Sequence, residues 1–179
     1  MRLRFTSAIQ VFEAFPSARE DIEHEPADLH PFAFVRQLQD STMPEDAIGF
    51  CAYLLPRREA VKWACQCIRQ TRANIDSESS RLLGIAEIWV ENPVEENRRL
   101  ALEAGTAAVG VGPAGWIALA AGWSGGSLVG EPNQPVAPPP HMTSQLVRAA
   151  VLTSLAVVAP KQRRDFLNGA VQAAVDLVS

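Results

Sequence analysis

Residues 44–68, PEDAIGFCAYLLPRREAVKWACQCI, decide the fold class. After Pro44, the residues Ala47, Ile48, Cys51, Ala52 and Leu55 recur at the spacing of one helix face. After Pro56, the residues Ala60, Val61, Ala64, Cys65 and Ile68 do the same. Each run begins at a proline, whose missing N–H costs nothing at the first helical position and whose ring fixes the angle a helix start needs. Two helices therefore follow one another with no strand-like alternation between them.

The same punctuation repeats outward. Leu82, Ile85, Ala86 and Trp89 make a third face, ended by Pro93. Leu146, Ala149, Ala150, Thr153 and Val157 make another, followed by Phe166, Leu167, Ala170, Val171, Ala174 and Val175. Pro31, Pro113 and Pro160 mark further helix starts. Thr42-Met43-Pro44-Glu45 and Asn92-Pro93-Val94-Glu95 have capping-box spacing, and Asp76 or Ser77 can cap a helix without proline. Strand signals are confined to Leu3 and Phe5, alternating with arginines, and that alternation equally precedes a helix from Ser7 to Phe15. The expectation is an all-α protein, an irregular bundle or a stack of helical hairpins with about eight helices, forming one domain over 1–179. Two segments interrupt it. One is an acidic loop over 16–30, expected as a surface excursion. The other is a Gly/Pro-rich connection over 125–140, which forbids helix and suits a hinge, a surface strap or a docking segment.

Bulk properties narrow the function classes. Hydrophobic residues make up 47% of the chain, enough to build a core. The net charge of −4 argues against a nucleic-acid binder, which needs a concentrated cationic surface to displace phosphate counterions. The pairs Arg57-Arg58, Arg98-Arg99 and Arg163-Arg164 all have acids nearby and read as solvated or salt-bridged helix faces. Cys51, Cys65 and Cys67 are an odd set suited to a reducing compartment, and no secretory signal is visible, so a cytoplasmic location is expected. The uncharged stretch 104–130 is long enough to span a bilayer, but its eight glycines and Pro113 make it a poor span. A buried helix from Pro113 to Trp123 explains it better.

Several short motifs resemble catalytic ones without their context. Gly110-Val111-Gly112-Pro113-Ala114-Gly115 matches a dinucleotide fingerprint, yet a helix precedes it and Pro113 removes a donor. Gly122-Trp123-Ser124-Gly125-Gly126 matches a nucleophile elbow, which would need a strand before Ser124 and His141 beside it, with an acid to orient the histidine. Cys65 and Cys67, two apart on a helix, point to different faces, and His24 and His30 add no zinc-site spacing. No catalytic, cofactor or metal residue is assigned. Trp63, Trp89, Trp116 and Trp123 read as core anchors, any exposed one being a candidate partner contact. Arg57 and Arg58 fall in a helix first turn, where the dipole disfavours cations. They call for a compensating acid, with an internal salt bridge favoured over one on a partner.

Leu55-Pro56-Arg57-Arg58-Glu59-Ala60-Val61-Lys62-Trp63-Ala64-Cys65, together with Gly115-Trp116 and Trp123-Ser124-Gly125-Gly126-Ser127-Leu128, resembles an uncharacterised bacterial helical domain family. Its members are small proteins encoded in type VI secretion neighbourhoods, near PAAR spike-tip proteins and effector adaptors. Lys62 stands where that pattern has another large residue. The resemblance covers most of the chain and carries no catalytic residue. It implies a non-catalytic accessory, a chaperone or co-chaperone/adaptor in effector loading, whose partner is an effector, an adaptor or a PAAR protein. Arg57, Arg58, Trp123, Ser124 and Leu128 are the expected contact residues. The alternatives are an immunity protein bound to a cognate toxin and, behind it, a serine hydrolase using Ser124.

Overall fold

A computed structural model describes residues 3–71, 75–108, 110, 112–129 and 135–179. The described residues form ten α-helices: α1 Ala8–Ala14, α2 Ala18–Asp21, α3 Pro31–Gln39, α4 Asp46–Leu54, α5 Arg57–Gln70, α6 Ser77–Glu91, α7 Glu95–Ala107, α8 Pro113–Gly122, α9 Met142–Ala156 and α10 Arg163–Asp176. A 3-10 turn, Pro160–Gln162, leads into α10. Among the described residues there is no strand, and the chain is all-α. The extended possibility at Leu3 and Phe5 gives way to α1.

Two helices are apolar nearly all round, and both are interior. Helix α8 packs against α5, α6, α7 and α9, and eight of its ten residues are buried. Helix α4 packs against α2, α3, α9 and α10, and all nine of its residues are buried rather than one stripe. Helix α9 lies between them. The uncharged stretch around Pro113 is thus the centre of the bundle, and among the described residues no helix is long and apolar enough to cross a membrane.

Around α4 the packing is aromatic. Phe12, Phe34 and Phe50 meet with ring centroids 4.9–6.1 Å apart, and Phe15 lies 5.5 Å from Tyr53. Around α8 it relies on missing side chains. A methyl group on Gly105 of α7 would lie 2.6 Å from the Cα of Leu119, and one on Gly122 would lie 2.7 Å from the Cβ of Leu102. Helices α7 and α8 therefore touch backbone to backbone at two points along their contact. Dispersion contacts summed along such a seam are large, and an added carbon has nowhere to go.

Local signals fared unevenly. Pro31 and Pro113 open α3 and α8, and the Asp76 carboxylate accepts from Ser79 N at 2.7 Å as the cap of α6. Neither capping box forms. Helix α4 starts only at Asp46, and the loop before it turns on Ser41, whose hydroxyl accepts from Met43 N. At α7 the cap position is Val94, and Glu95 turns to Arg98 and Arg99 instead.

The face of α9 is also rotated from expectation. Thr153 and Val157 are exposed, and the buried side runs through Thr143, Val147, Ala150, Val151 and Ser154. The spacing took Thr153 and Val157 as the inner face, whereas the hydroxyls that are buried are those of other positions. Ser154 Oγ donates to Ala150 O and Thr143 Oγ1 to Ala120 O, so burying them leaves no unmet donor.

The acidic segment 16–30 is less an excursion than expected. It contains α2, and Ala18 and Ile22 enter the core. Buried Asp46 at the start of α4 ties it down, accepting from Glu23 N at 3.0 Å and His24 N at 3.1 Å and lying 2.7 Å from His24 Nδ1.

Candidate functional site

The expected contact residues cluster where α5 begins and α8 ends. Arg57, the first residue of α5, is half-buried and donates to Ser124 O at 2.7 Å and to Pro140 O at 3.3 Å. These carbonyls lie near the two ends of the 125–140 connection. Arg58 is exposed and turns the other way, its Nε donating to Val90 O at 2.6 Å at the end of α6. Both arginines thus have internal partners, as their position demanded, but the partners are carbonyl oxygens and not the acid that was expected. A helix end leaves its last carbonyls unmet and carries partial negative charge, so the C-terminus of α6 does for Arg58 what a carboxylate would have done.

A second arginine anchor escaped the sequence reading. Arg98 of α7 is 4% exposed. It donates to Gly122 O and to Ser127 O, the latter at 3.0 Å, while Nε and Nη2 reach the Glu95 carboxylate at 2.7 Å each. Gly126 has φ +63°, and a methyl there would lie 2.6 Å from Arg98 Nε. The glycine is what lets the connection fold over the guanidinium. In the sequence Arg98 is half of an Arg-Arg pair on a charged helix, indistinguishable from Arg99, which is exposed.

The described part of the connection closes on itself. Leu128 N donates to Val136 O at 2.8 Å, and Ser127 Oγ accepts from Val129 N and Val136 N at 3.2 and 3.0 Å. Residues 130–134, Pro132 among them, lie outside the described residues, as does Val111 of the Gly110–Gly115 motif. Trp123 and Ser124 are half-buried, and so is Leu128. Val129 and Val136, not singled out beforehand, are 40% and 49% exposed. Arg57 and Ser124 are brought together, Leu128 pairs instead with Val136 within the connection, and Arg58 turns away to the end of α6.

The remaining candidates are occupied structurally. The chain enters Ser124 from α8, so a strand-to-helix elbow is not formed there. His30 Nδ1 accepts from Phe32 N, and His24 is paired with Asp46. The thiols of Cys51 and Cys67 are pushed up to about 12 by burial, and that of Cys65 is raised by the same cause. At neutral pH all three are therefore protonated and weakly nucleophilic. Trp63 is fully buried with Nε1 donating to Ala170 O at 2.8 Å, Trp89 is buried, and Trp116 and Trp123 are half-buried.

A family model described as a family of unknown function, DUF6931, matches residues 34–178. No curated protein and no solved structure matches the chain.

Proposed function

The chain belongs to that family of unknown function, and from this premise we propose that it is a non-catalytic protein-interaction module whose contact surface is the arginine-held connection. One observation carries the reading. Gly125–Pro140 is fastened near both ends by Arg57 and Arg98, yet it holds Val129 and Val136 out to water. Apolar side chains on a fixed frame lose little freedom when a partner covers them, which favours binding. A loop serving only to join α8 to α9 gains nothing from either feature.

The more specific reading rests on the resemblance of the Leu55–Cys65 and Trp123–Leu128 segments. It makes the module an effector-loading accessory of type VI secretion, a chaperone or co-chaperone/adaptor acting in the cytoplasm, where free thiols stay reduced. The partner is then an effector, an adaptor or a PAAR protein.

The test is affinity capture of the tagged chain from its native host at endogenous expression, with mass spectrometry of what is retained. Val129→Asp/Val136→Asp runs alongside, since both positions are exposed and the fold should tolerate the change. Capture of a secretion adaptor, PAAR protein or effector, reduced about tenfold or more in the double variant, is the expected result. Equal capture by both chains moves the surface elsewhere. Capture of a single toxin replaces loading by immunity, and capture of the chain alone removes the interaction reading.

A further inference from the structure

The first segment of the chain and the α4–α5 junction enclose a cleft of about 490 Å³, within the range of small-ligand sites. It is separate from the exposed valines of the connection, and shares with the docking role only Arg57 and Pro140, which fasten that connection. Its walls include Phe5, Phe15 and Tyr53, with Leu55 beside them, and the polar groups at its edge are Arg4, Arg57 and Ser144. Among the described residues, none that line it carries a carboxylate.

We propose that this cleft binds a carboxylate attached to an aromatic or branched apolar body, with Arg4 and Arg57 holding the carboxylate and the aromatic wall covering the rest. Arg4 stacks over Phe5 at 4.9 Å and near Phe15 at 5.9 Å, and among the described residues it makes no hydrogen bond or ion pair. Its planar fork thus lies over the rings with its N–H groups unspent among the described residues. Arg57 uses two N–H groups on Ser124 and Pro140, leaving three of the five that a guanidinium has.

Exposed Arg4 and half-buried Arg57 border the same cleft, and their like charges repel. Burial and then the Arg4 charge lower the pKa of Arg57, the direction expected of a cation lacking an acid. An anion between them removes that repulsion. Ser144 adds an independent sign. It is 4% exposed, its hydroxyl makes no hydrogen bond among the described residues, and it borders the cleft. A hydroxyl that opens onto the cleft with no partner among the described residues is free to bond a ligand there. A bare inorganic anion would leave the aromatic wall wet, so an acid with an apolar body is the better fit.

The shared chemistry, an apolar group ending in a carboxylate, is found both in free aromatic acids and at the C-terminus of a polypeptide. Calorimetric titration of the full chain with phenylacetate, N-acetylphenylalanine, N-acetylphenylalanine amide, N-acetyl-leucyl-phenylalanine and inorganic phosphate separates these. The acids are expected to bind, and the amide at least tenfold more weakly. Arg4→Gln, an exposed change, should weaken the acids roughly tenfold or more while leaving the unfolding temperature unchanged. Tighter binding of the acetylated dipeptide than of phenylacetate assigns the site to a chain terminus, and the reverse order to a free acid; either supports the proposal. Absence of acid binding, equal binding of the amide, binding of phosphate alone, or an unchanged affinity in Arg4→Gln overturns it. None of these outcomes depends on Val129 or Val136, so failure here leaves the docking test standing.

Discussion

Glu95 shows how much one surface carboxylate can do when its partner is buried. Arg98 and Arg99 hold its pKa down to about 2, against an ordinary value of 4.5, chiefly through the Arg98 hydrogen bonds. A depressed carboxylate pKa contributes stability that is complete above about pH 4.5 and is lost as the pH falls toward 2. Glu95 itself is 53% exposed, so solvent screening limits the effect to about 1 kcal/mol or less. Urea midpoints measured at pH 7 and pH 3 should therefore differ less in Glu95→Gln than in the parent chain. A second residue-scale case is Trp63, whose indole N–H reaches the Ala170 carbonyl across the core. Trp63→Phe should cost about 2 kcal/mol in urea unfolding, from the lost bond and the unfilled space. Its burial was legible in the sequence, since a tryptophan on an Ala-rich helix has few alternatives. The partner carbonyl was not, because every residue has one and none announces that it is unmet. The same reason hid the acceptors of Arg57, Arg58 and Arg98. Sequence reasoning pairs a cation with a carboxylate because that is the only acceptor it can see.

At the scale of elements, the seam between α7 and α8 separates glycines that look alike in the sequence. Gly105 faces the backbone of Leu119, whereas Gly84 in α6 and Gly169 in α10 have open space where a methyl would go. Gly105→Ala should lower stability by about 2–3 kcal/mol or prevent folding. Gly84→Ala and Gly169→Ala should each raise it by about 0.5–1 kcal/mol, because alanine has less backbone freedom to lose. Thermal unfolding followed by circular dichroism reads all three, and a shared sign for Gly105 and Gly84 would contradict the seam. The stripes of α5 and α6 were legible because the spaced apolar residues do line the inner face, although Ile88 of α6 lies outside it. That of α9 was not, because three buried hydroxyl residues carry its inner face and the apolar Val157 lies outside. Capping boxes failed for a related reason: the pattern records which residues could bond, while the tertiary neighbours decide which do.

At the scale of the molecule, the family match begins at residue 34, but the core does not. Phe5, Phe12 and Phe15 of the preceding segment close over Phe34, Phe50 and Tyr53. A chain lacking residues 3–33 should lose cooperative unfolding and self-associate on size exclusion, since it would uncover several aromatic rings at once. A sharp unfolding transition in that truncation would show that 34–178 stands alone. The all-α class could be read from residues 44–68 with little else. The proposed cleft could not, since Arg4, Tyr53, Arg57 and Ser144 meet only after the whole bundle has closed. The three thiols bear on the same closure. Cys51 lies in α4 and Cys65 and Cys67 in α5, all buried and all protonated at neutral pH. An alkylating reagent reaches them only when these helices open, so the rate of labelling becomes an intrinsic clock for breathing at the centre of the bundle. The protein thus carries its own opening meter, one whose ticking should slow whenever a bound partner or acid holds the helices shut.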